Sequence, residues 1–497
     1  MSRNAGVWIC AGLVLAAAAC GDDLRRPPLS KGNGTSPDPN AISGSGGRGG
    51  AGANGDAGSG AVGGTGGPLD TSPLPPAGPC ADIFADDLFP TYELQIAPAE
   101  WDALLQDFYS LDQNIDAKVD AHPYHRVDQF KYGDEIVTNA LIRLKGFSSW
   151  SQAIQDHPPK LQFVISFDDI DENARFHGLR KIELDMPRID QTYLRQRMSL
   201  WFLRALGLPS QCANSARLVI NGALYGLYTN LERPDKEFLH RLFPGAEHAD
   251  LWDGGWQLET NKNNVGLPHP RMDAFWAAKT TAATAAIADM DEALLEWAAE
   301  AMLGDADGYW IGHWNFLLYD HPTHGWLWLP HDLDAAINWL DPHVDPLYYW
   351  GGNTNWSPPF AHYLAVIQDD TWRARYVAAL GRAHDVYVAA PLPDLVDRFE
   401  AQIRDTAAAD PTRPFTFDQH VLGVADLRQA IFTRTDTLRA WLDCQASPAS
   451  ALDLDGDGRP FCMDCRDDDP ATYPGAPEIC GDARDQDCDG IDKIDCQ

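Results

Sequence analysis

The run Trp326-Leu327-Trp328-Leu329 constrains this chain more than any other stretch. Four large apolar residues without a polar interruption read as a strand buried on both faces. Pro330 stops it, and two carboxylates follow, Asp332 and Asp334. In extended backbone, residues two apart point the same way. Paired hard oxygens at the end of a buried strand suit Mg²⁺ with a phosphate partner. The same residues also fit a turn after a core strand, with Asp capping the next element. The rest of the chain has to decide between the two.

The chain has 497 residues, 44% of them hydrophobic and 10% aromatic. That supports a large core and roughly two to four domains. The net charge is −34. A surface this acidic repels phosphate backbones and anionic lipid, so nucleic acid is excluded as a partner. It also fits a chain that holds divalent cations, although solvation alone explains it as well.

The opening MSRNAGVWICAGLVLAAAAC has a positive start at Arg3, an apolar run from Ala5 to Ala19, and small residues before Cys20. It resembles a bacterial lipoprotein signal over residues 1–20, in which Cys20 becomes the lipidated N-terminus. Ala17 stands where Leu is usual, and an ordinary secretory signal cut nearby is the alternative. Residues 21–78 are rich in Gly, Ser, Ala and Pro. They hold too little apolar surface to offset the entropy of ordering, and read as a flexible tether. No later segment has about 18 uncharged apolar residues, so the mature chain is not expected to span a membrane. Localisation is therefore expected to be exported, periplasmic or at the cell surface, with the membrane met only through a lipid anchor.

Beyond Cys10 and Cys20 there are eight cysteines: Cys80, Cys212, Cys444, Cys462, Cys465, Cys480, Cys488 and Cys496. In an exported chain an even set reads as disulfides, whose connectivity the sequence leaves open.

The folded part opens with a strand at Tyr92–Ile96 and a helix from Ala97 onward. Strands follow at 140–146, 160–167 and 182–184. Asp190 can cap a helix carrying Leu194, Met198, Trp201 and Phe202, which ends at Gly207. Asn221-Gly222 between apolar runs marks a β-hairpin. A helix is expected near 287–301, a strand at 315–319 pairing with 326–329, and mostly helix over 371–442. Strands first and helices later argue an α+β fold with two lobes.

Several features now stand in one order. They are Lys160 in a basic-aromatic strand, Leu184…Asp190…Leu194-Arg195, Asn221-Gly222…Tyr225-Gly226-Leu227-Tyr228…Glu232, and Asn315-Phe-Leu-Leu-Tyr followed by Pro330-His-Asp-Leu-Asp334. Together they resemble the CotH (spore coat protein H) kinase-like family over roughly residues 85–440, within an expected domain of 79–445. The resemblance implies an atypical two-lobed protein-kinase-like domain. It implies transfer of the γ-phosphoryl group of ATP to secreted or surface proteins, with Mg²⁺ or Mn²⁺. Such transfer needs a lysine on the phosphates, a carboxylate on that lysine, and Asp or Asn on the metal. The resemblance assigns Lys160 to the phosphates with Lys145 as the second candidate, and Glu232 as the partner carboxylate. Asp307 becomes the residue accepting the substrate hydroxyl proton, and Asn315, Asp332 and Asp334 the metal residues. Plainer readings are an edge-strand ion pair for Lys160, a local pair or cap for Glu232, a strand start for Asn315, and a turn for Asp305–Gly308. There are departures: His331 replaces the usual Trp, Asp185 the usual Asn, and Asp307 lies further from Asn315 than in ordinary kinases. A catalytically inactive surface lipoprotein acting as a binding scaffold is the alternative function.

Residues 446–497 form a separate acidic, Cys-rich module. Asp453, Asp455 and Asp457 fall at positions 1, 3 and 5 of a loop with Gly458 at 6 and Asp464 at 12, matching an EF-type Ca²⁺ loop. A second acidic group contains Asp482, Asp485, Asp487 and Asp489. The stretch resembles the MopE-type metal-binding repeat of secreted bacterial proteins. With few apolar residues, disulfides and Ca²⁺ are expected to hold it together.

Overall fold

The computed structural model describes residues 69–110, 122–146, 153, 159–186, 188–337, 341–351 and 359–493. The signal stretch, Cys20 and most of the expected tether lie outside them, as does Cys496. The folded part begins before Cys80: the Asp70 amide donates to the Thr323 carbonyl, the Gly78 amide donates to the Arg241 carbonyl, and Leu74 packs on a core cluster.

The fold is mixed α/β around two sheets. The first contains β1 (Thr91–Gln95), β2 (His125–Arg126), β3 (Gln129–Tyr132), β4 (Glu135–Val137), β5 (Leu141–Leu144), β6 (Phe163–Ser166), β7 (Lys181–Asp185), β8 (Ala213–Ile220) and β9 (Ala223–Glu232). Their order is β2-β5-β6-β7-β9-β8-β1-β3-β4. All its pairings are antiparallel except β1 with β8. β8 and β9 are the hairpin expected at Asn221-Gly222. Both turn residues have positive φ, 51° and 82°, which Asn and Gly tolerate best. The second sheet has β10 (Leu251–Asp253), β11 (Gln257–Leu258), β12 (Phe316–His321) and β13 (Gly325–Pro330), in the order β11-β10-β12-β13.

The helices are α1 (Pro98–Ser110), α2 (Arg195–Leu206), α3 (Met290–Leu303), α4 (Asp370–Ala389), α5 (Leu392–Ala409) and α6 (Phe417–Ala446), with shorter ones between. Asp190 does cap the entry to α2, accepting the Leu194 and Arg195 amides. Gly207 ends that helix at φ 89°. Asp289 caps α3, and Gly304 closes it in the left-handed region. A capping box of Thr416 and Gln419 starts α6.

β13 shows why its sequence has no polar residue. Trp326 and Trp328 belong to the large core shared with α3, α4 and α6, while Leu327 and Leu329 enter a smaller core with Phe238, Leu251 and Tyr319. The strand is covered on both faces, and each of these side chains contributes about 2 kcal/mol relative to exposure. A third core, with Leu94, Phe130, Phe163, Ile182 and Leu184, lines the first sheet.

Disulfides join Cys80 to Cys212, Cys444 to Cys462 and Cys465 to Cys488, and Cys480 is also disulfide-bonded. Such bonds are the chemistry of an exported chain. Among the described residues, no helix is long and apolar enough to cross a membrane. After α6 the chain has no strand among the described residues up to 493. Its loops are stapled to the end of α6 through Cys444–Cys462, and Gln445 Nε2 donates to the Cys462 carbonyl at 2.5 Å.

Candidate functional site

The ends of both sheets bring one set of charges together. On β7, Ile182 and Leu184 face the core, so Glu183 and Asp185 project from the other face. Lys145 follows β5 directly and is held by both: Nζ lies 2.8 Å from Glu183 Oε2 and 3.4 Å from Asp185 Oδ1. Arg233, just past β9, pairs with Glu183 and reaches Glu259 Oε2 at 2.5 Å.

Asp332, past the end of β13, sits at φ 50°. Left-handed backbone there carries a strain that a non-glycine residue accepts only when its surroundings impose it. Two contacts do so: Asn315 Nδ2 donates to the Asp332 carbonyl at 3.1 Å, and Gln196 Nε2 reaches Asp332 Oδ1 at 3.4 Å. Burial pushes the Asp332 carboxyl up to about 7, with Asp185, Asp307 and Glu183 adding to the shift and Lys145 opposing it. Burial, then Asp332, Asp185 and Asp307, push Asp334 well above the carboxylate range. Burial also raises Asp307. Burial works against the Lys145 ammonium, but Asp185, Glu183 and Asp332 outweigh it and its pKa rises. Burial acts to raise Glu183, yet Lys145 and Arg233 hold it well below its usual range. The result is a cluster with more carboxyl than cationic groups, whose ionised form a divalent cation would favour.

Asp307, Asn315, Asp332, Asp334 and Lys145 are therefore brought together, whereas Lys160 and Glu232 are not. Lys160 is fully buried and pairs with Asp410 at 2.5 Å, over the Tyr228 ring, beneath Gly226. Asp410 also accepts the Leu227 amide, so this pair anchors the end of α5 to β9. Glu232 pairs with Arg241 at 2.5 Å and accepts the Cys212 amide at 3.0 Å. Lys160 and Glu232 thus lie outside this cluster, in which the lysine is Lys145 and its carboxylate partners are Glu183 and Asp185. The signal for Glu183 was present in Lys181-Ile-Glu-Leu-Asp185, where two acids alternate with apolar residues on a strand. Arg233 and Asp253 carried no comparable signal. Asp253 lies at the end of β10, and burial pushes it up to about 6 against Arg233 and Lys145. His331 Nδ1 donates to Gln211 Oε1 at 3.1 Å, and burial followed by Lys145 lowers its pKa to about 3, so it is neutral.

A second site lies in the C-terminal module. Carboxylate oxygens of Asp455, Asp457 and Asp464 lie within 4.8 Å of one another, as do those of Asp453, Asp455 and Asp467. Oδ1 of Asp455, Asp457, Asp464 and Asp467 accepts the amide of Asp457, Arg459, Arg466 and Leu454 respectively. Oδ2 of the same four residues is buried without a hydrogen-bond partner. Buried unpaired oxygens are costly unless a cation meets them. Burial, then Asp457, Asp455 and Asp467, push Asp464 up to about 7 against one backbone hydrogen bond. These residues fit a hard cation, and Asp467 joins the set read from the loop spacing. A third group is Glu478, Asp485 and Asp487, with buried unpartnered oxygens on Glu478 and Asp487. Asp482 and Asp489 do not join it: Asp482 accepts the Arg484 amide and Gln486 Nε2, and Asp489 accepts the Ile491 amide and pairs with Lys493.

Comparison with known proteins matches both regions. A family described as CotH kinase protein matches residues 142–269, which carry Lys145, Glu183, Asp185 and Arg233. The Cu-binding MopE family, described as "Putative metal-binding motif", matches residues 464–493. Over 209 residues the chain is 28% identical to Invasin CotH3 of Rhizopus delemar, covering 35% of this chain and 34% of that protein. The chain thus spans about a third of the length of this curated relative. Asp307, Asn315, Asp332 and Asp334 come from beyond the matched family segment.

Proposed function

We propose that this chain is an exported protein kinase that transfers the γ-phosphoryl group of ATP to hydroxyl groups of secreted or surface proteins. The observation that carries this reading is the Lys145–Glu183 pair set against Asp332 and Asn315. Lys145 contacts the ATP phosphates, and Glu183, itself held by Arg233, orients that lysine. Asp332, with Asp334 and Asp185 behind it, holds Mg²⁺ or Mn²⁺. The ion supplies charge neutralisation for the phosphate oxygens. Asp307 accepts the proton of the acceptor hydroxyl as its oxygen attacks. The carboxylates repel one another without the cation, which makes the site dependent on it. The domain takes an atypical kinase-like two-lobed arrangement, the module holds Ca²⁺ on Asp455, Asp457, Asp464 and Asp467, and a lipid on Cys20 tethers the chain to a membrane.

The test incubates the purified chain with γ-labelled ATP, Mg²⁺ or Mn²⁺, and a protein acceptor. Label on the acceptor, lost in Asp332→Ala and Lys145→Ala, is the expected result. Absence of label with both ions would sink the kinase reading. The invasin name of the fungal relative favours a second reading, a binding scaffold at a surface, and that reading predicts no transfer but retained partner binding in Asp332→Ala.

A further inference from the structure

Helix α3 carries a row of acids through the largest core. Glu292, Glu296 and Glu300 recur at four-residue steps in a helix where every residue but Asp291 is buried. Residues four apart share a face. Among the described residues, none of the three forms an ion pair. Buried acids without cations are costly unless they are neutral or hydrogen-bonded. Glu292 Oε2 accepts the Trp328 amide at 3.1 Å. Glu300 does something different, because its head reaches past the end of the helix. Oε1 accepts the Tyr309 amide at 3.2 Å and Oε2 the Trp310 amide at 2.8 Å.

The loop between α3 and β12 is wound tightly around that head. Asp305 Oδ1 accepts the Asp307 amide at 3.3 Å. The Asp307 carbonyl accepts the amides of Trp314 and Asn315, at 3.1 and 2.9 Å, which closes the loop on itself. The Ala306 amide donates to the Ala335 carbonyl at 3.2 Å, tying the loop to the segment after Asp334. Where the loop crosses Glu300, residue 308 is glycine: a Cβ there would lie 2.5 Å from Glu300 Oε1 and 2.8 Å from Asp305 Oδ2. Gly312 leaves no room either, since its Cβ would lie 2.5 Å from the Ala306 carbonyl oxygen.

We propose that Glu300 is a positioning residue whose carboxylate holds the Tyr309 and Trp310 amides, so that Asp307 and Asn315 face Asp332. Glu296 lies one helical turn before Glu300 on the same helix face. Burial raises both, with Glu292 and Asp305 adding negative charge beside Glu296. Two backbone N–H donors favour the charged form of Glu300 against that burial.

The kinetic side of this inference rests on the phosphoryl-transfer reading; the structural side does not. The experiment uses the full chain with Glu300→Gln, Glu296→Gln and Gly308→Ala. It follows amide exchange at Tyr309 and Trp310, and kcat and KM for ATP. In Glu300→Gln the new NH₂ group faces one of the two amides, and exchange there accelerates about tenfold or more. kcat falls about a hundredfold as the loop shifts, with KM for ATP nearly unchanged. Glu296→Gln alters an acid that holds neither amide and stays close to wild type in both. Gly308→Ala presses a methyl group on Glu300 and reproduces the faster exchange, which covers the case in which Glu300→Gln does not fold. Unchanged exchange in the Glu300 or Gly308 variants overturns the proposal, as does a Glu296→Gln variant damaged as badly as Glu300→Gln. If the wild-type chain transfers no label, the kinase reading fails and the exchange rates alone decide this one.

Discussion

Two buried lysines do different work because of what surrounds them. The Lys160 side chain has no exposed surface, whereas that of Lys145 keeps 14%. Only Lys145 can meet a solute. Lys145→Ala is expected to stay folded and lose phosphoryl transfer by about a hundredfold or more, read by labelled-ATP kinetics. Lys160→Ala leaves Asp410 buried without its cation and is expected to cost about 3–5 kcal/mol, read from the denaturant midpoint. Gly226→Ala tests the same contact, because its Cβ would strike Lys160 Nζ. His331 is neutral throughout the physiological range, since its burial and Lys145 hold it near 3. A pH–rate profile of His331→Gln should therefore keep the shape of the wild-type profile between pH 5 and 8. A lost limb in that range would show instead that His331 titrates in the reaction.

At the scale of elements, α3 and β7 pull the pH dependence of stability in opposite directions. The folded-state pKa of Glu296 is raised above its unfolded value. Its contribution is present below the ordinary Glu value of about 4.3 and is lost as pH rises toward the folded value. Glu183 is lowered, so its contribution is present above the ordinary value and lost as pH falls. Glu296→Gln cannot ionise, and urea midpoints should show the variant gaining on wild type as pH rises from 5 to 8. A constant difference would mean that Glu296 does not hold the proton. The hairpin of β8 and β9 shows how much of an element local chemistry carries. Asn221 supplies the positive φ, and its side chain both accepts the Ile96 amide and donates to the Ile96 carbonyl. The turn thus also fixes where β1 ends.

At the scale of the molecule, covalent and ionic staples join what the cores leave separate. Cys80–Cys212 links positions 132 residues apart. Opening it in the Cys80→Ala, Cys212→Ala double variant is expected to cost on the order of 4 kcal/mol, read by denaturation. The module depends on carboxylates that face one another, and Ca²⁺ should raise its thermal midpoint while a chelator lowers it. Calorimetry on the full chain should show Asp467→Asn weakening Ca²⁺ by roughly tenfold, because ligand charge sets affinity. Asp482→Asn should leave affinity unchanged, since that carboxylate holds a backbone amide and Gln486 instead. Equal effects of the two substitutions would refute the four-carboxylate cradle.

Periodicity and turn chemistry alone determined β13 as a strand covered on both faces, the Asn221-Gly222 hairpin, the Asp190 cap and the long helices after 370. Each depends on residues close in sequence, where geometry is set by backbone sterics and side-chain alternation. Asp332 and Asp334 pair on the expectation of extended backbone, yet Asp332 takes φ 50°, so their placement comes from the surrounding contacts and not from alternation. Which lysine and which carboxylate accompany them was not legible either. Lys145 follows β5 and Lys160 precedes the neighbouring β6, and only the packing of α5 against β9 puts Asp410 on Lys160 and leaves Lys145 to Glu183 and Asp185. Charges select partners across distances that sequence spacing does not encode. The opening motif, ambiguous between a turn and a metal anchor, acquires its charged neighbours only from the folding of two sheet ends onto one point.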